Sequence, residues 1–286
     1  MKKYYTNQEN TLLYIVFCVL SLVLIACSIL IIIEASNKQR NSQTIQNSAS
    51  VEQTTQSTGK IDLPPQPTPN PIIAKPEVKP VAKPPATDYT LPYNTSGLAP
   101  VLLTIPTKLP VVFLGIDDGA VKSKKAEELL KVSGFKATLF LANRFITDNP
   151  SYFKTFQQDN QYTIQNHSLT HMLLSGVTYA TQKKEICGMA DYIEKTYGKR
   201  PTLFRPPGGS YDKTTQKAAY DCGMKAIIMW AAKANGGKMD YQQGNKLRPG
   251  DIVLMHFRNE FEADFNSFVQ AVNNANLRVE ALEDWL

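Results

Sequence analysis

The chain holds only three histidines, His167, His171 and His256. Two of them stand four residues apart in "HSLTH", and the third closes the apolar run "DIVLM". Adjacent aspartates, Asp117 and Asp118, close another apolar run, "VVFLGI", and Arg205 closes "TLF". Taken singly these signals are weak. Residues i and i+4 share a face on a helical turn, an Asp pair after a strand is commonly a cap or turn, and "RPPGG" reads as a rigid turn. Jointly they describe a metal site. Two imidazoles and one carboxylate are a common set of zinc ligands that leaves a fourth position for water. Asp118, His167 and His171 are the candidate ligands of a divalent metal, Zn2+ first among them. Asp117 then stays free to act as general base toward a water whose pKa the metal lowers to about 7. Arg205 would keep Asp117 ionised and oriented. Pro206 and Pro207 have no N–H, so Gly208 offers the first backbone donor after the arginine, suited to a developing oxyanion. His256 would protonate a leaving amine.

These side chains act together only if the fold gathers the ends of their runs. From about residue 99, strand-length apolar runs alternate with helix-like stretches. The runs are 111–116, 136–142, 161–166, 202–205, 225–230, 251–256 and 277–282, and helical patterns cover 123–134, 178–197, 212–222 and 261–275. Such alternation predicts an α/β fold with parallel strands, and near-continuous apolar strands fit a sheet covered by helices. Seven runs suggest a barrel rather than an open sheet. Active sites of α/β barrels sit at the C-terminal ends of the strands, where every residue singled out above lies.

The chain before residue 99 differs in texture. After a tail of residues 1–10, residues 11–33 contain no charge, and about 20 apolar residues suffice to span a bilayer as a helix. The run is too long for an ordinary signal peptide and is read as an uncleaved anchor, with the domain on the extracellular side of the cell membrane. "LIAC", ending at Cys27, looks like a lipoprotein cleavage box, but six further apolar or small residues follow it. Residues 34–98 are first rich in Ser, Thr, Gln and Asn, then hold nine of the 18 prolines within 64–85. This composition predicts a disordered, extended linker with a reach on the order of 100 Å. Residues 99–286 are the predicted catalytic domain. The net charge is +6, compatible with an anionic surface, and no basic patch with interleaved aromatics points to nucleic acid. Cys187 and Cys222 fall in consecutive helical patterns. They are either a disulfide, as an exported domain permits, or two small buried apolar residues.

"GIDDG", "HSLTH", "RPPGGSY" and "PGDIVLMH", in that order, resemble the polysaccharide deacetylases of carbohydrate esterase family 4, which share the NodB homology domain. The resemblance covers about residues 110–286. It implies a distorted (β/α)7 barrel and metal-dependent removal of N-acetyl groups from GlcNAc-containing polymers such as peptidoglycan, commonly with zinc. It implies Asp117 as base, Asp118, His167 and His171 as metal ligands, Arg205 as the residue orienting the base, His256 as acid, and Gly208 at the oxyanion position. The sequence departs from the family pattern at Gly115 and Ile116, where Thr-Phe is usual, and at Gly208, where Tyr is usual. Lys233 stands where an aspartate normally helps hold the arginine, and Phe257 where an Asp follows the last histidine. These departures bear on Arg205, His256 and the acetyl pocket and leave the metal ligands intact. A catalytically impaired glycan-binding protein, or a deacylase of O-acetyl or other amide substrates, are the alternatives on the same scaffold.

Overall fold

The computed structural model describes residues 87–159 and 161–286. The tail 1–10, the anchor 11–33 and linker residues 34–86 lie outside the described residues. Among the described residues no helix is long and apolar enough to cross a membrane.

Ten strands make one curled, mixed sheet. They are β1 (Val101–Leu102), β2 (Val111–Asp118), β3 (Ala137–Leu141), β4 (Tyr162–Asn166), β5 (Leu203–Phe204), β6 (Ala226–Ile228), β7 (Ala232–Asn235), β8 (Lys238–Tyr241), β9 (Ile252–His256) and β10 (Arg278–Glu280). The order is β1-β6-β5-β4-β3-β2-β9-β7-β8, and β10 pairs with the first residues of β2. All pairings are parallel except the β7–β8 hairpin. The helices are α1 (Lys124–Ser133), α2 (Asn143–Ile146), α3 (Pro150–Gln157), α4 (Tyr179–Tyr197), α5 (Lys213–Asp221) and α6 (Phe261–Ala275). Their ends carry local stop signals. Ser123 and Thr178 cap α1 and α4 through side-chain oxygens, Asp212 and Thr215 form a capping box on α5, and Gly134 and Gly198 end α1 and α4 in the left-handed region.

The distorted barrel expected from the seven runs is present as a curled half-barrel. The last run, β10, does not continue the ring but lies beside Val111–Phe113. Between β1 and β9 the sheet is joined only by an isolated bridge, Thr104–Asp251. The β1 strand and the β7–β8 hairpin were invisible as periodicity because they are only two and four residues long. Alternate residues of each long strand face opposite ways. Val112, Leu114 and Ile116 pack outward with Leu130 of α1 and Phe268 of α6. Val111, Phe113, Phe140, Ile228 and Ile252 fill the interior together with Leu282 and Trp285 from the C-terminal segment. Residues 87–98, assigned to the linker by composition, instead engage the domain: Tyr89 and Leu91 pack on this inner core, and Asp88 accepts from the Lys108 N–H. Cys187 of α4 and Cys222, the residue ending α5, are bonded at 2.02 Å, so the disulfide reading holds over that of two free small residues.

Candidate functional site

Asp117 and Asp118 end β2, and both are buried. In register beside Asp117 stand Phe140 of β3 and His256 of β9. His167 follows β4, and Arg205 follows β5, donating its N–H to Asn166 O. The strand ends therefore bring Asp117, Asp118, His167, His171, Arg205 and His256 to one face. The described residues hold one cluster of metal-type donors, Asp118, His167 and His171, whose ligand atoms all lie within 4.8 Å of one another.

His167 and His171 do not share a helical turn, as their spacing suggested. "HSLTH" is an irregular loop in which Ser168 and His171 adopt φ of 71° and 60°, and Asp118 adopts 74°. Left-handed non-glycine residues are costly and concentrate at functional sites. The two imidazoles meet, with ring centroids 5.0 Å apart, because the loop is pinned. Asn166 Oδ1 accepts from Ser168 N–H, Ser168 Oγ accepts from His171 N–H, and the Glu185 carboxylate accepts from both the N–H and hydroxyl of Thr170. The sequence reading missed Asn166 and Glu185. The signal was present for Glu185: it is a carboxylate on the buried face of α4, beside Ile186 and Met189.

The electrostatics favour a cation. Asp118 Oδ1 lies 3.0 Å from His171 Nε2 and 3.4 Å from His167 Nε2. Neither contact has hydrogen-bond geometry, so this buried oxygen has no hydrogen-bond partner. Burial opposes the charged form of Asp118, but the imidazoles beside it outweigh burial and hold its carboxyl well below the usual carboxylate range. His167 donates Nδ1–H to Arg205 O at 2.7 Å, since a carbonyl only accepts. That fixes the tautomer and turns Nε2 toward the two carboxylates. Burial pushes the His167 pKa down, yet the charges of Asp117 and Asp118 prevail and raise it. The donor set thus fits a divalent metal: an ionised, partnerless carboxylate oxygen and two imidazole Nε2 atoms around one point.

Arg205 is completely buried. Its Nη1 donates to Asp117 Oδ1 at 2.7 Å, its Nε to Ile228 O at 3.1 Å and its Nη2 to Met229 O at 3.3 Å, and Cζ stands 4.2 Å over the Phe140 ring. Desolvation lowers its pKa and the Asp117 charge opposes that. Lys233 takes no part here; its Nζ is 3.5 Å from Asp240 Oδ2 across the β7–β8 hairpin. Phe257 is core, stacked on Phe261. Gly208 sits with φ of 60° in a short turn whose hydrogen bonds run from Gly209 and Ser210 N–H to Pro206 and Pro207. A Cβ there would stand 3.0 Å from Leu173. His256 is pushed down by burial, with Asp117 and Asp118 opposing. Arg258, which sequence reasoning also missed, places Nη2 3.7 Å from Asp118 Oδ2.

A half-barrel with an Asp-His-His cluster and an Arg-held second aspartate at its strand ends is the architecture of a NodB-like domain. Residues 104–227 match the polysaccharide deacetylase family. The chain is 35% identical to an uncharacterized protein of Streptomyces coelicolor over 66% of this chain and 78% of that one. It is 25% identical to a peptidoglycan-N-acetylglucosamine deacetylase of Bacillus cereus over 53% of this chain and 75% of that one. Among solved structures it resembles a mutant of a Bacillus anthracis CE4 family pseudoenzyme with restored enzymatic activity, with TM-score 0.55 and 26% identity over 65% of this chain and 70% of that one. The chain belongs to the polysaccharide deacetylase family, carbohydrate esterase family 4, as a divergent member.

Proposed function

We propose that the chain is a metal-dependent N-deacetylase of GlcNAc-containing cell-wall or surface glycan. In this reading residues 11–33 anchor it in the cell membrane, with the domain on the extracellular side. The observation that carries the activity is the partnerless, buried Asp118 Oδ1 between His167 and His171, beside the Asp117–Arg205 pair. Asp118, His167 and His171 would hold the metal, with Zn2+ the first choice; when bound, it supplies Lewis-acid activation of water and of the acetyl carbonyl. Asp117 has Oδ1 engaged by Arg205, so Oδ2 is the oxygen that takes the proton of the attacking water. In this reading the Gly208 N–H would serve the developing oxyanion. His256, in register with Asp117 across β2–β9, returns a proton to the amine nitrogen as the C–N bond breaks. The products are acetate and a free amine on the sugar.

One finding favours a second reading, a glycan-binding protein without activity: the resemblance to a family pseudoenzyme. Acetate release by the full chain from N-acetylated chitooligosaccharides and peptidoglycan fragments separates the two. Wild type is run beside Asp117→Asn, with and without Zn2+ after chelation, and beside O-acetylated substrates. Acetate that requires both the metal and Asp117 is expected. None from any substrate, with metal bound, overturns the deacetylase reading, and retention of the same glycans by the metal-loaded chain then supports the binding scaffold; release from O-acetyl substrates alone moves the target.

A further inference from the structure

We propose that Gly115 is a positioning residue of this site: the missing side chain is the slot in which the Arg205 guanidinium lies to reach Asp117. Gly115 is the interior-facing residue of β2 two positions before Asp117, so both present the same face. A Cβ built there would stand 2.5 Å from both Arg205 Nη1 and Nη2 and 2.8 Å from Cζ. The backbone gives no other reason for glycine, because Gly115 is absent from the positive-φ residues and sits inside a regular strand, where glycine is otherwise unfavourable. Phe140, in register with Asp117, supplies the other wall at 4.2 Å from Cζ. The Ile228 and Met229 carbonyls hold the back of the fork. The guanidinium thus has one carboxylate partner and a steric slot, and the slot sets which nitrogen meets Asp117. A methyl at residue 115 must push the planar fork away from Asp117 or shift β2.

The test is a cycle of wild type, Gly115→Ala, Arg205→Lys and the double variant, all as the full chain. Lysine keeps the charge but lacks the planar fork that the methyl would strike. Gly115→Ala alone is expected to lower Tm by roughly 5 °C or more, with stoichiometric zinc retained. In the Arg205→Lys background the same change is expected to cost less than half that shift. If Gly115→Ala fails to fold while the double variant folds, the inference stands. Equal Tm losses in both backgrounds, or a Gly115→Ala chain as stable as wild type, overturn it. The kinetic readout rests on the deacetylase reading: kcat falls at least tenfold with KM within twofold. A wild-type chain without acetate release would defeat that reading and leave the melting cycle to decide this one.

Discussion

Glu283→Gln tests how the C-terminal segment closes the half-barrel. Glu283 lies in the short 3-10 helix Leu282–Asp284, whose neighbours Leu282 and Trp285 enter the inner core. Its carboxylate accepts from Thr138 Oγ1 at 3.0 Å and from Gln165 Nε2 at 3.3 Å. The Gln165 amide cannot turn over, because its Oε1 accepts from Thr202 and Leu203 N–H. Desolvation raises the Glu283 pKa from 4.5 to about 7, against those hydrogen bonds. A raised carboxylate pKa means that the folded state holds the proton more tightly than the unfolded one. Burial of Glu283 therefore costs nothing below pH 4.5, costs progressively more between 4.5 and 7, and reaches its full cost above 7. A shift of that size corresponds to at most roughly 3 kcal/mol, and the solvent that Glu283 still touches reduces it to about 2 kcal/mol. Glutamine keeps both contacts if the Thr138 hydroxyl rotates to accept, and it does not titrate. Urea denaturation at pH 4.5 and pH 8 measures the difference between variant and wild type at each pH. The variant is expected to be within about 0.5 kcal/mol of wild type at pH 4.5 and more stable by about 2 kcal/mol at pH 8. A difference that is the same at both pH values would refute the reasoning.

Two further perturbations address the site and its frame. Asp118→Asn removes the anionic ligand while preserving shape, so calorimetric titration of the chelated protein with Zn2+ is expected to show affinity reduced at least about 100-fold; unchanged affinity would place the metal elsewhere. Cys187→Ala with Cys222→Ala opens a loop closed over a sequence separation of 35, and loop-closure entropy predicts a loss of roughly 3–4 kcal/mol in urea denaturation. A loss under 1 kcal/mol would mean that packing between α4 and α5 alone holds these helices together.

The long strands and helices were legible because each carries its own period and stop signal. The 178–197 pattern ends at Gly198, and α4 spans Tyr179–Tyr197 with Gly198 left-handed. The expected strand 251–256 appears as Ile252–His256. What escaped was too short to show a period, as with β1, or depended on distant partners, as with the pairing of β10 to the foot of β2. The site divides similarly. Six of its polar residues could be named because unusual side chains stand where apolar runs stop. The loop geometry of "HSLTH" could not be read, because Ser168 and His171 take positive φ only under the hold of Asn166 and Glu185. Gly115 looked like a departure from a family pattern until the guanidinium was seen to occupy its missing side chain.

By itself the sequence determined which chemical groups are available and that most of them stand at or just after the end of an apolar run, because period and composition are local properties of a chain. It therefore determined the family and the candidate ligands Asp118, His167 and His171. Only the tertiary structure decided how Arg205 serves two roles, its carbonyl fixing the His167 tautomer and its guanidinium fixing Asp117. It also decided that the sheet stays a half-barrel and that Cys187 meets Cys222. These are contacts between residues far apart in the chain: Arg205 and Asp117 are 88 positions apart, and Thr104 bridges to Asp251. Their energies come from desolvation and close approach, which exist only once the chain has packed.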